Sequence, residues 1–298
     1  MKRLIIRLFG RLGPMALGLC FLLGRPSEAS ATSGVMTVTS SKTLTENHHG
    51  VIVIAGNNIT LDCAYNYLYE NTATSTHICG ANDDQSCGIL IVGRSKPTIK
   101  RCRPRYFQIG MYLESVSQGK FHNNRFEYNV EGVRIQSSSS GVFDTNYYRY
   151  NDDEGLDVNG QSLWNEFYRS LFNGNGVDGA DFGGVAQPRI EDSDFVDNGY
   201  NGLELDGCTM PFIFYNVFQD NGFASGSRNG LSFDNTDMAF VEDNYAFDNA
   251  RDGFRVTDDS DGGQFTGNVA SGNGQCDARE DSSSSNTWGG NSFQVSCL

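Results

Sequence analysis

The sequence predicts an all-β fold, a single-stranded right-handed parallel β-helix (solenoid) of about 8 to 10 coils. Three observations lead to this prediction. A unit of 22 to 24 residues recurs along most of the chain, with one longer turn. Each unit contains short apolar strands separated by Gly and Asn corners. The chain also shows almost no helical periodicity, so we expect the units to stack and to form their core between neighbours.

Two positions of the repeat, five residues apart, are occupied by Asn and Ser. Asn suits a corner because it tolerates the left-handed conformation and its amide can bond to the coils above and below. Between these positions lies a mostly aromatic column whose rings we expect to stack inside the coils. The first column is Asn129, Asn151, Asn175, Asn198, Asn221, Asn249 and Asn273; the second is Asn124, Asn146, Ser170, Ser193, Asn216, Asn244 and Asn268; the aromatic column is Phe126, Tyr148, Phe172, Phe195, Phe218, Ala246 and Ala270.

Residues 1–31 are typical of a secretion signal peptide. Basic residues precede a short apolar run at 15–23, and Ala29, Ser30 and Ala31 form a cleavage site of the A-x-A type. The apolar run is too short to span a bilayer. We therefore expect a secreted protein, located outside the cell, in the periplasm or in the cell wall, with no membrane attachment after cleavage.

The rest of the chain predicts one domain in three parts. Residues 32–87 form an N-terminal cap and the first coils with a disulfide loop, residues 88–275 the regular coils, and residues 276–298 a C-terminal cap held by a disulfide. Seven cysteines remain after cleavage, and in an oxidising compartment six can pair. Spacing alone does not fix the pairing. We expect Cys63 with Cys102, Cys79 with Cys87 and Cys276 with Cys297, which leaves Cys208 as a buried free thiol.

The charge of the chain argues against a nucleic-acid partner. The net charge is −14, and loss of the signal peptide makes it −18. Positive charge is nevertheless concentrated between Arg94 and Arg134, and it includes the run KRCRPR at 100–105. Arg101 and Arg103 in this run are candidate ligands for a polyanion. The run can equally be the solvated edge of an early coil, and both interpretations stay open.

A column of outward-facing residues carries the functional prediction. Strand side chains alternate between two faces, so counting two residues past each repeat Gly selects one outward position per coil, about 4.8 Å from the next. This column is Leu90, Tyr112, Arg134, Asp157, Asp181, Glu204, Ser232 and Arg255, and the next outward position adds Gln136, Asn159, Gly183, Asp206, Asp234 and Thr257. Three consecutive acids therefore follow a cation. A merely solvated face remains the alternative.

Adjacent acids at this spacing repel each other. Two like charges about 5 Å apart cost ~0.8 kcal/mol in bulk water and ~3 kcal/mol at a lower effective dielectric constant. The repulsion is relieved by a Ca²⁺ ion, by a raised pKa that keeps one acid protonated, or by a nearby cation such as Arg134 or Arg255. We expect Glu204, Asp206 and Asp234 to be the metal ligands if Ca²⁺ binds, and we expect no organic cofactor.

The chain resembles the pectin-lyase-like right-handed parallel β-helix superfamily, from the segments 50–54 (GVIVI) and 58–62 (NITLD) to about Asn273. That superfamily includes lyases, hydrolases, epimerases and non-catalytic surface proteins, so the resemblance implies the fold. A local resemblance to mannuronan C5-epimerases lies in 154–157 (EGLD) and 175–182 (NGVDGADF), and it implies catalytic roles for Asp157 and Asp181. The family pattern continues Asp-Pro-His, whereas this chain has Asp157, Val158 and Asn159.

C5 epimerisation and β-elimination need a group that neutralises the uronate carboxylate, a base for the C5 proton and an acid on the opposite face. Arg134 and Arg255 are candidates for binding the substrate. Tyr112, the only phenol in the column, is a candidate proton donor, although a surface or sugar-stacking tyrosine remains the alternative because it lies two coils from Asp157.

The sequence thus favours a monomeric polyuronide C5-epimerase or lyase that binds an anionic polysaccharide. Two alternatives remain open: a glycoside hydrolase that uses paired carboxylates, and a non-catalytic glycan-binding surface protein.

Overall fold

The structure, a computed structural model, describes residues 31–70, 79, 86–224, 228–257, 259–282 and 284–298. Every regular element in these ranges is a β-strand, and the strands form a parallel solenoid of about ten turns. The predicted fold class and coil number are therefore confirmed. The signal peptide, apart from Ala31, lies outside the described residues, and the division of the chain into three parts stays a prediction.

Each regular coil contributes three short strands, one to each face of the solenoid. The first sheet has 12 parallel strands. They are β2 (Met36–Val38), β5 (Ile52–Ile54), β8 (Cys87–Val92), β11 (Ile109–Glu114), β14 (Glu131–Gln136), β17 (Leu156–Asn159), β20 (Ala180–Gly183), β23 (Leu203–Asp206), β26 (Leu231–Asp234), β29 (Phe254–Val256), β32 (Ala278–Glu280) and β35 (Ser296–Cys297).

The second sheet has 11 parallel strands, and the third face consists of a four-stranded and an eight-stranded sheet. The second sheet contains β3 (Lys42–Thr43), β6 (Thr60–Asp62), β9 (Thr98–Lys100), β12 (Lys120–His122), β15 (Val142–Asp144), β18 (Glu166–Tyr168), β21 (Arg189–Glu191), β24 (Phe212–Phe214), β27 (Phe240–Glu242), β30 (Gln264–Thr266) and β33 (Thr287–Gly289). The third face contains β1 (Thr32–Ser33), β4 (His48–His49), β7 (Tyr67–Tyr69) and β10 (Arg103–Arg105), then β13 (Arg125–Glu127), β16 (Tyr147–Arg149), β19 (Leu171–Asn173), β22 (Asp194–Val196), β25 (Val217–Gln219), β28 (Tyr245–Phe247), β31 (Val269–Ser271) and β34 (Ser292–Phe293).

The buried asparagine ladder forms as predicted. Asn175 Nδ2 donates to the Tyr148 carbonyl (3.1 Å) and to Asn198 Oδ1 (2.9 Å), and Asn175 Oδ1 accepts a hydrogen bond from the Asn151 backbone N–H (3.2 Å). Each amide therefore satisfies backbone groups of the adjacent coils, which would otherwise be buried without partners. The same bonds recur from Asn129 onward.

The aromatic column stacks inside the solenoid. Ring centroids are 4.5 Å apart between Tyr148 and Phe172, 4.4 Å between Phe172 and Phe195, and 5.0 Å between Phe195 and Phe218. These rings are fully buried, so they contribute the large apolar area that a coil cannot bury alone.

The repeat glycines stand where the coils approach most closely. A Cβ atom at Gly155 would lie 2.5 Å from the Gly179 carbonyl oxygen, and at Gly179 it would lie 2.4 Å from the Gly202 carbonyl oxygen. Any larger residue would push adjacent coils apart at the start of the first-sheet strands. The glycines therefore fix the register that aligns the outward positions.

The three predicted disulfides are all present: Cys63 with Cys102, Cys79 with Cys87 and Cys276 with Cys297. Cys208 is free and buried, as predicted, and burial raises the pKa of its thiol to about 12. Three disulfides suit an oxidising compartment; secretion itself stays a prediction. In the described part of the chain, no helix has the length and apolar character needed to cross a membrane.

Candidate active site

The outward column forms on the first sheet in the predicted register. Arg134 lies opposite Asp157, Asp157 opposite Asp181, and Asp181 opposite Glu204 on consecutive strands β14, β17, β20 and β23. The column continues through Ser232 to Arg255. Neighbouring members therefore stand one strand apart, roughly 4.8 Å.

Asp157 is surrounded by donors. Arg134 Nε lies 3.3 Å from Asp157 Oδ2, and Asn159 Nδ2 lies 3.2 Å from both carboxylate oxygens. Arg134 also contacts Glu131, with Nε 2.8 Å from Oε2. Burial raises the pKa of Asp157, while Arg134 and Asn159 oppose that rise. Asn159 therefore holds the Asp157 carboxylate at the point where the epimerase pattern has a His.

Asp181 lies in a different environment from Asp157. It is half-buried, and burial together with the charge of Glu204 raises the pKa of Asp181 to about 7. Its neighbour Glu204 accepts a hydrogen bond from Asn201 Nδ2 (2.7 Å), although burial still raises the pKa of Glu204. The column therefore combines a donor-stabilised acid, Asp157, with an acid that titrates close to neutral pH.

A second column of polar residues, which sequence reasoning missed, lies beside the first. It consists of the residues immediately before the repeat glycines: Glu131, Glu154, Asp178, Asn201 and Asn229. Burial raises the pKa of Glu154 to about 7, with a further rise from Asp153, and burial raises the pKa of Asp178 to about 8, with a further rise from Glu204. The recurrent acid-Gly dipeptide was the signal in the sequence that could have revealed this column.

Six carboxylates thus converge on β14 to β23. We call them the acid cluster: Glu131, Glu154, Asp157, Asp178, Asp181 and Glu204. Burial raises the pKa values of all six. The pKa values of Glu154, Asp178 and Asp181 reach about 7, 8 and 7, so these three hold protons for a large part of the time near pH 7, which relieves the repulsion predicted from the spacing. Such a cluster can both donate and accept protons.

Asn201 is linked by hydrogen bonds to Asp178, Glu204 and Asn229 on the neighbouring coils and on its own. Its backbone N–H donates to Asp178 Oδ1 (2.6 Å), its Nδ2 donates to Glu204, and its Oδ1 accepts from the Asn229 backbone N–H (2.9 Å). Asn229 ends the longer turn that begins at Phe223, and residues 225–227 of that turn lie outside the described residues. Arg228 in this turn opposes the rise in the pKa of Glu204.

Tyr112 lies in the column but is not a surface residue. Only 3% of it is exposed, and its hydroxyl donates to Gln136 Oε1 at 2.7 Å. It packs with Leu90, Ile109 and the Cys79–Cys87 disulfide in a small apolar cluster on the outer side of the first sheet. The alternative of an exposed, sugar-stacking tyrosine is therefore wrong.

The other predicted substrate-binding arginines lie away from the acid cluster. Arg255 Nη2 contacts Asp281 Oδ2 at 2.7 Å, beyond Ser232 in the column. Arg101 lies at the corner between the second sheet and the third face, with its Nε 2.9 Å from Asp62 Oδ1. Arg103 lies on β10 of the third face. Of the four arginines, only Arg134 contacts the cluster.

The three predicted calcium ligands are spread along two strands. Asp206 and Asp234 are register partners on adjacent strands, and both are exposed. Asp234 accepts a hydrogen bond from Thr257 Oγ1 (2.8 Å). Glu204 accepts one from Asn201. Among the described residues, the acids whose carboxylate oxygens lie within 4.8 Å of one another are instead Glu131, Asp153 and Glu154. As placed, the predicted ligands do not converge on one point, and calcium binding stays a prediction.

The sequence of this chain matches the protein-family model described as 'Right handed beta helix region'. The two matches cover residues 30–187 and 164–297, nearly the whole chain. The chain belongs to this right-handed β-helix family. A comparison with curated protein sequences gave no match.

Solved structures with this β-helix fold include several carbohydrate-active proteins. The periplasmic alginate epimerase AlgG superimposes with a TM-score of 0.67 at 13% identity, over 87% of this chain and 76% of AlgG. The A-module of the Azotobacter vinelandii mannuronan C-5 epimerase AlgE6 gives 0.53 at 13% identity, over 88% of this chain and 83% of the module. The catalytic domain of a GH87 α-1,3-glucanase gives 0.52 at 13% identity, over 86% of this chain and 63% of that domain. At these identities the likeness shows the fold alone.

Proposed function

We propose that this β-helix protein acts on a polysaccharide at the acid cluster, and that it removes the C5 proton of a uronate residue as a C5-epimerase or a lyase. One observation carries the proposal: Asp157 and Asp181 are register partners in unlike environments. A pair of acids with separated protonation behaviour is how one site divides acid and base roles.

Asp181 is the proposed proton-transferring group. A general base is most effective when its pKa lies near the working pH, and the pKa of Asp181 is about 7. Asp157, stabilised by Arg134 and Asn159, would orient the sugar through its hydroxyl groups. Tyr112 stays a predicted proton donor, and its hydroxyl donates to Gln136 Oε1.

The proposal also accounts for how an acidic site accepts an acidic sugar. Removal of a C5 proton requires that the charge of the adjacent carboxylate is neutralised. With pKa values of about 7 and 8, Glu154 is about half protonated and Asp178 mostly protonated at neutral pH, and the protonated forms would donate hydrogen bonds to that carboxylate. Arg134 adds the positive charge. AlgG and AlgE6, named as epimerases, show that this fold can carry such a reaction.

Glycoside hydrolysis is the second candidate, and one specific observation favours it. Asp181 and Asp157 stand about one strand spacing apart, which is the separation of the acid and the nucleophile in a retaining glycosidase. This reaction needs no uronate carboxylate, so a neutral glycan would be a substrate.

The test is a direct assay of the mature protein on polymannuronate, polygalacturonate and a neutral glucan, in D₂O, with Ca²⁺ or with EDTA. Deuterium at C5 without new chain ends identifies an epimerase, and absorbance from unsaturated uronates identifies a lyase. Reducing ends without unsaturation identify a hydrolase. If no signal appears on any polymer, the catalytic proposal is wrong and a binding or structural role is favoured.

Variants assign the chemistry to the cluster. We expect Asp181→Asn to lower turnover by about 10²-fold or more, the range of a lost general acid or base, and Asp157→Asn to have a comparable effect. Glu166→Gln changes a half-buried acid on β18 of the second sheet, outside the cluster, and should leave turnover unchanged. Unchanged turnover in both aspartate variants would contradict the assignment.

A further inference from the structure

The third face carries a cluster of arginines and tyrosines that the proposed reaction does not use. On the outward side of β7, β10, β13 and β16, Tyr67 is followed by Arg103, Arg125 and Tyr147. The Arg125 backbone N–H donates to the Cys102 carbonyl (2.8 Å), and the Tyr147 backbone N–H donates to the Asn124 carbonyl in the same way one coil later (2.9 Å). Arg103 on β10 is therefore aligned with Arg125 on β13, as Arg125 is with Tyr147. Arg103 and Arg125 are therefore neighbours in this outward column, with a tyrosine on either side.

Among the described residues, no carboxylate pairs with either of these two arginines. Arg105 and Arg149, in the parallel outward column, both contact the buried Glu127. Neither Arg103 nor Arg125 has an ion pair with any acid that the structure describes. The repulsion between two like charges at about strand spacing is an energetic cost. An anion that bridges both guanidinium groups would remove this cost.

Aromatic rings hold both guanidinium groups in place. The Arg103 guanidinium lies 5.2 Å from the ring centroid of Tyr65 and 5.3 Å from that of Tyr67, and it donates to the Tyr67 hydroxyl (3.3 Å). The Arg125 guanidinium lies 5.2 Å from the Tyr147 ring centroid. Cation–π contacts of this kind reduce the mobility of the arginines before any ligand arrives.

The rest of the third face shows that this positive charge is local. Further along the same outward column stand Leu171 and Asp194, and at the adjoining corner the exposed side chains include Asp197, Asp220 and Asp248. The chain as a whole has a net charge of −14. A cationic patch on so acidic a protein concentrates anions at one place.

We infer that this patch, formed by Tyr65, Tyr67, Arg103, Arg125 and Tyr147, binds an anionic polysaccharide outside the acid cluster. Arginine forks match carboxylate or sulfate groups, and successive strands offer one cation about every 4.8 Å, comparable to the length of a sugar residue. Guanidinium groups cover the faces of Tyr67 and Tyr147, which disfavours base stacking and thus single-stranded nucleic acid. The patch is on another face of the solenoid and does not depend on the proposed reaction.

The test measures binding of polygalacturonate to the mature protein carrying Asp181→Asn, so that turnover does not interfere. We expect the added pair Arg103→Gln and Arg125→Gln to weaken binding at least fivefold at low salt. The matched pair Arg169→Gln and Arg189→Gln removes two arginines that are ion-paired on or beside the second sheet, and it should weaken binding less than twofold. Equal losses in the two pairs, or no loss in the first, would overturn the inference.

A second measurement locates the ligand without relying on affinity. Bound polygalacturonate should protect Arg103 and Arg125, and leave Arg169 open, when arginines are modified with phenylglyoxal and the sites are mapped by mass spectrometry. Dextran, as a neutral polymer, should not protect them. Absence of protection by polygalacturonate, equal protection by dextran, or stronger protection by oligothymidylate would each overturn the inference.

Discussion

Replacing Asp178 with asparagine should stabilise the protein at alkaline pH and have little effect at acidic pH. Asp178 is 4% exposed, and burial, with a further contribution from Glu204, raises its pKa from 3.8 to about 8. The folded protein therefore holds a proton at Asp178 that the unfolded chain releases above about pH 4. The free energy of unfolding falls as the pH rises from about 4 to about 8.

The magnitude follows from the size of this pKa difference. Each pKa unit corresponds to about 1.4 kcal/mol, so the full difference sets an upper limit of about 6 kcal/mol. The neighbouring acids Asp181 and Glu204 are half-buried, so nearby water lowers the cost of ionising Asp178. We therefore expect Asp178→Asn to raise the free energy of unfolding at alkaline pH by at least about 2 kcal/mol. Asparagine keeps the oxygen that accepts the Asn201 N–H (2.6 Å) and carries no charge, so the substitution changes little else.

The assay is urea unfolding of parent and variant, followed by circular dichroism at about pH 4.5 and about pH 8.5. The stability advantage of Asp178→Asn should grow by at least about 2 kcal/mol between the two pH values. Asp152→Asn is the matched control, because Asp152 is exposed and little desolvation can be relieved there. An advantage of Asp178→Asn that is equal at both pH values would refute the reasoning.

Three further predictions concern the solenoid itself. Asn175→Ala should lower the free energy of unfolding by about 3 kcal/mol or more, because it leaves buried groups of two coils unpaired, whereas the half-buried Asn173→Ala should cost about 1 kcal/mol in the same urea titration. Phe172→Ala should cost about 3 to 5 kcal/mol by opening a cavity between stacked rings, and an unchanged midpoint would contradict the ladder. Arg101 holds the pKa of Asp62 at about 2, so this pair stabilises the fold above about pH 4 and the effect is lost toward pH 2. Asp62→Asn should therefore lower the thermal unfolding midpoint modestly at pH 7, because solvent screens the pair, and leave it almost unchanged near pH 2.

Much of the fold could be predicted because the repeat is a local pattern. The spacing of Asn151, Asn175 and Asn198 sets the coil length, and each amide acts on the adjacent coil in the same way. The repeat Gly fixes the strand start by steric exclusion. The column from Arg134 to Glu204 followed from counting alone, since outward positions alternate along a strand.

Other features could not be predicted because they depend on contacts between distant residues. The burial of Tyr112 depends on the apolar cluster that includes the Cys79–Cys87 disulfide, which covers the outer side of β8 and β11. The separation of Arg103 from the acid cluster depends on which face its strand joins. The basic run has no periodicity of its own that would indicate that face.

The sequence by itself determined the right-handed β-helix and the aligned acids Asp157, Asp181 and Glu204, because each follows from spacing within a regular repeat. Only the tertiary structure decided the chemistry of those acids. Asp178 and Glu154 stand at a corner, where the direction of a side chain depends on the shape of the coil, and their burial beside the column raises their pKa values. Protonation depends on desolvation and on the charges of neighbouring coils, and a linear spacing does not contain that information.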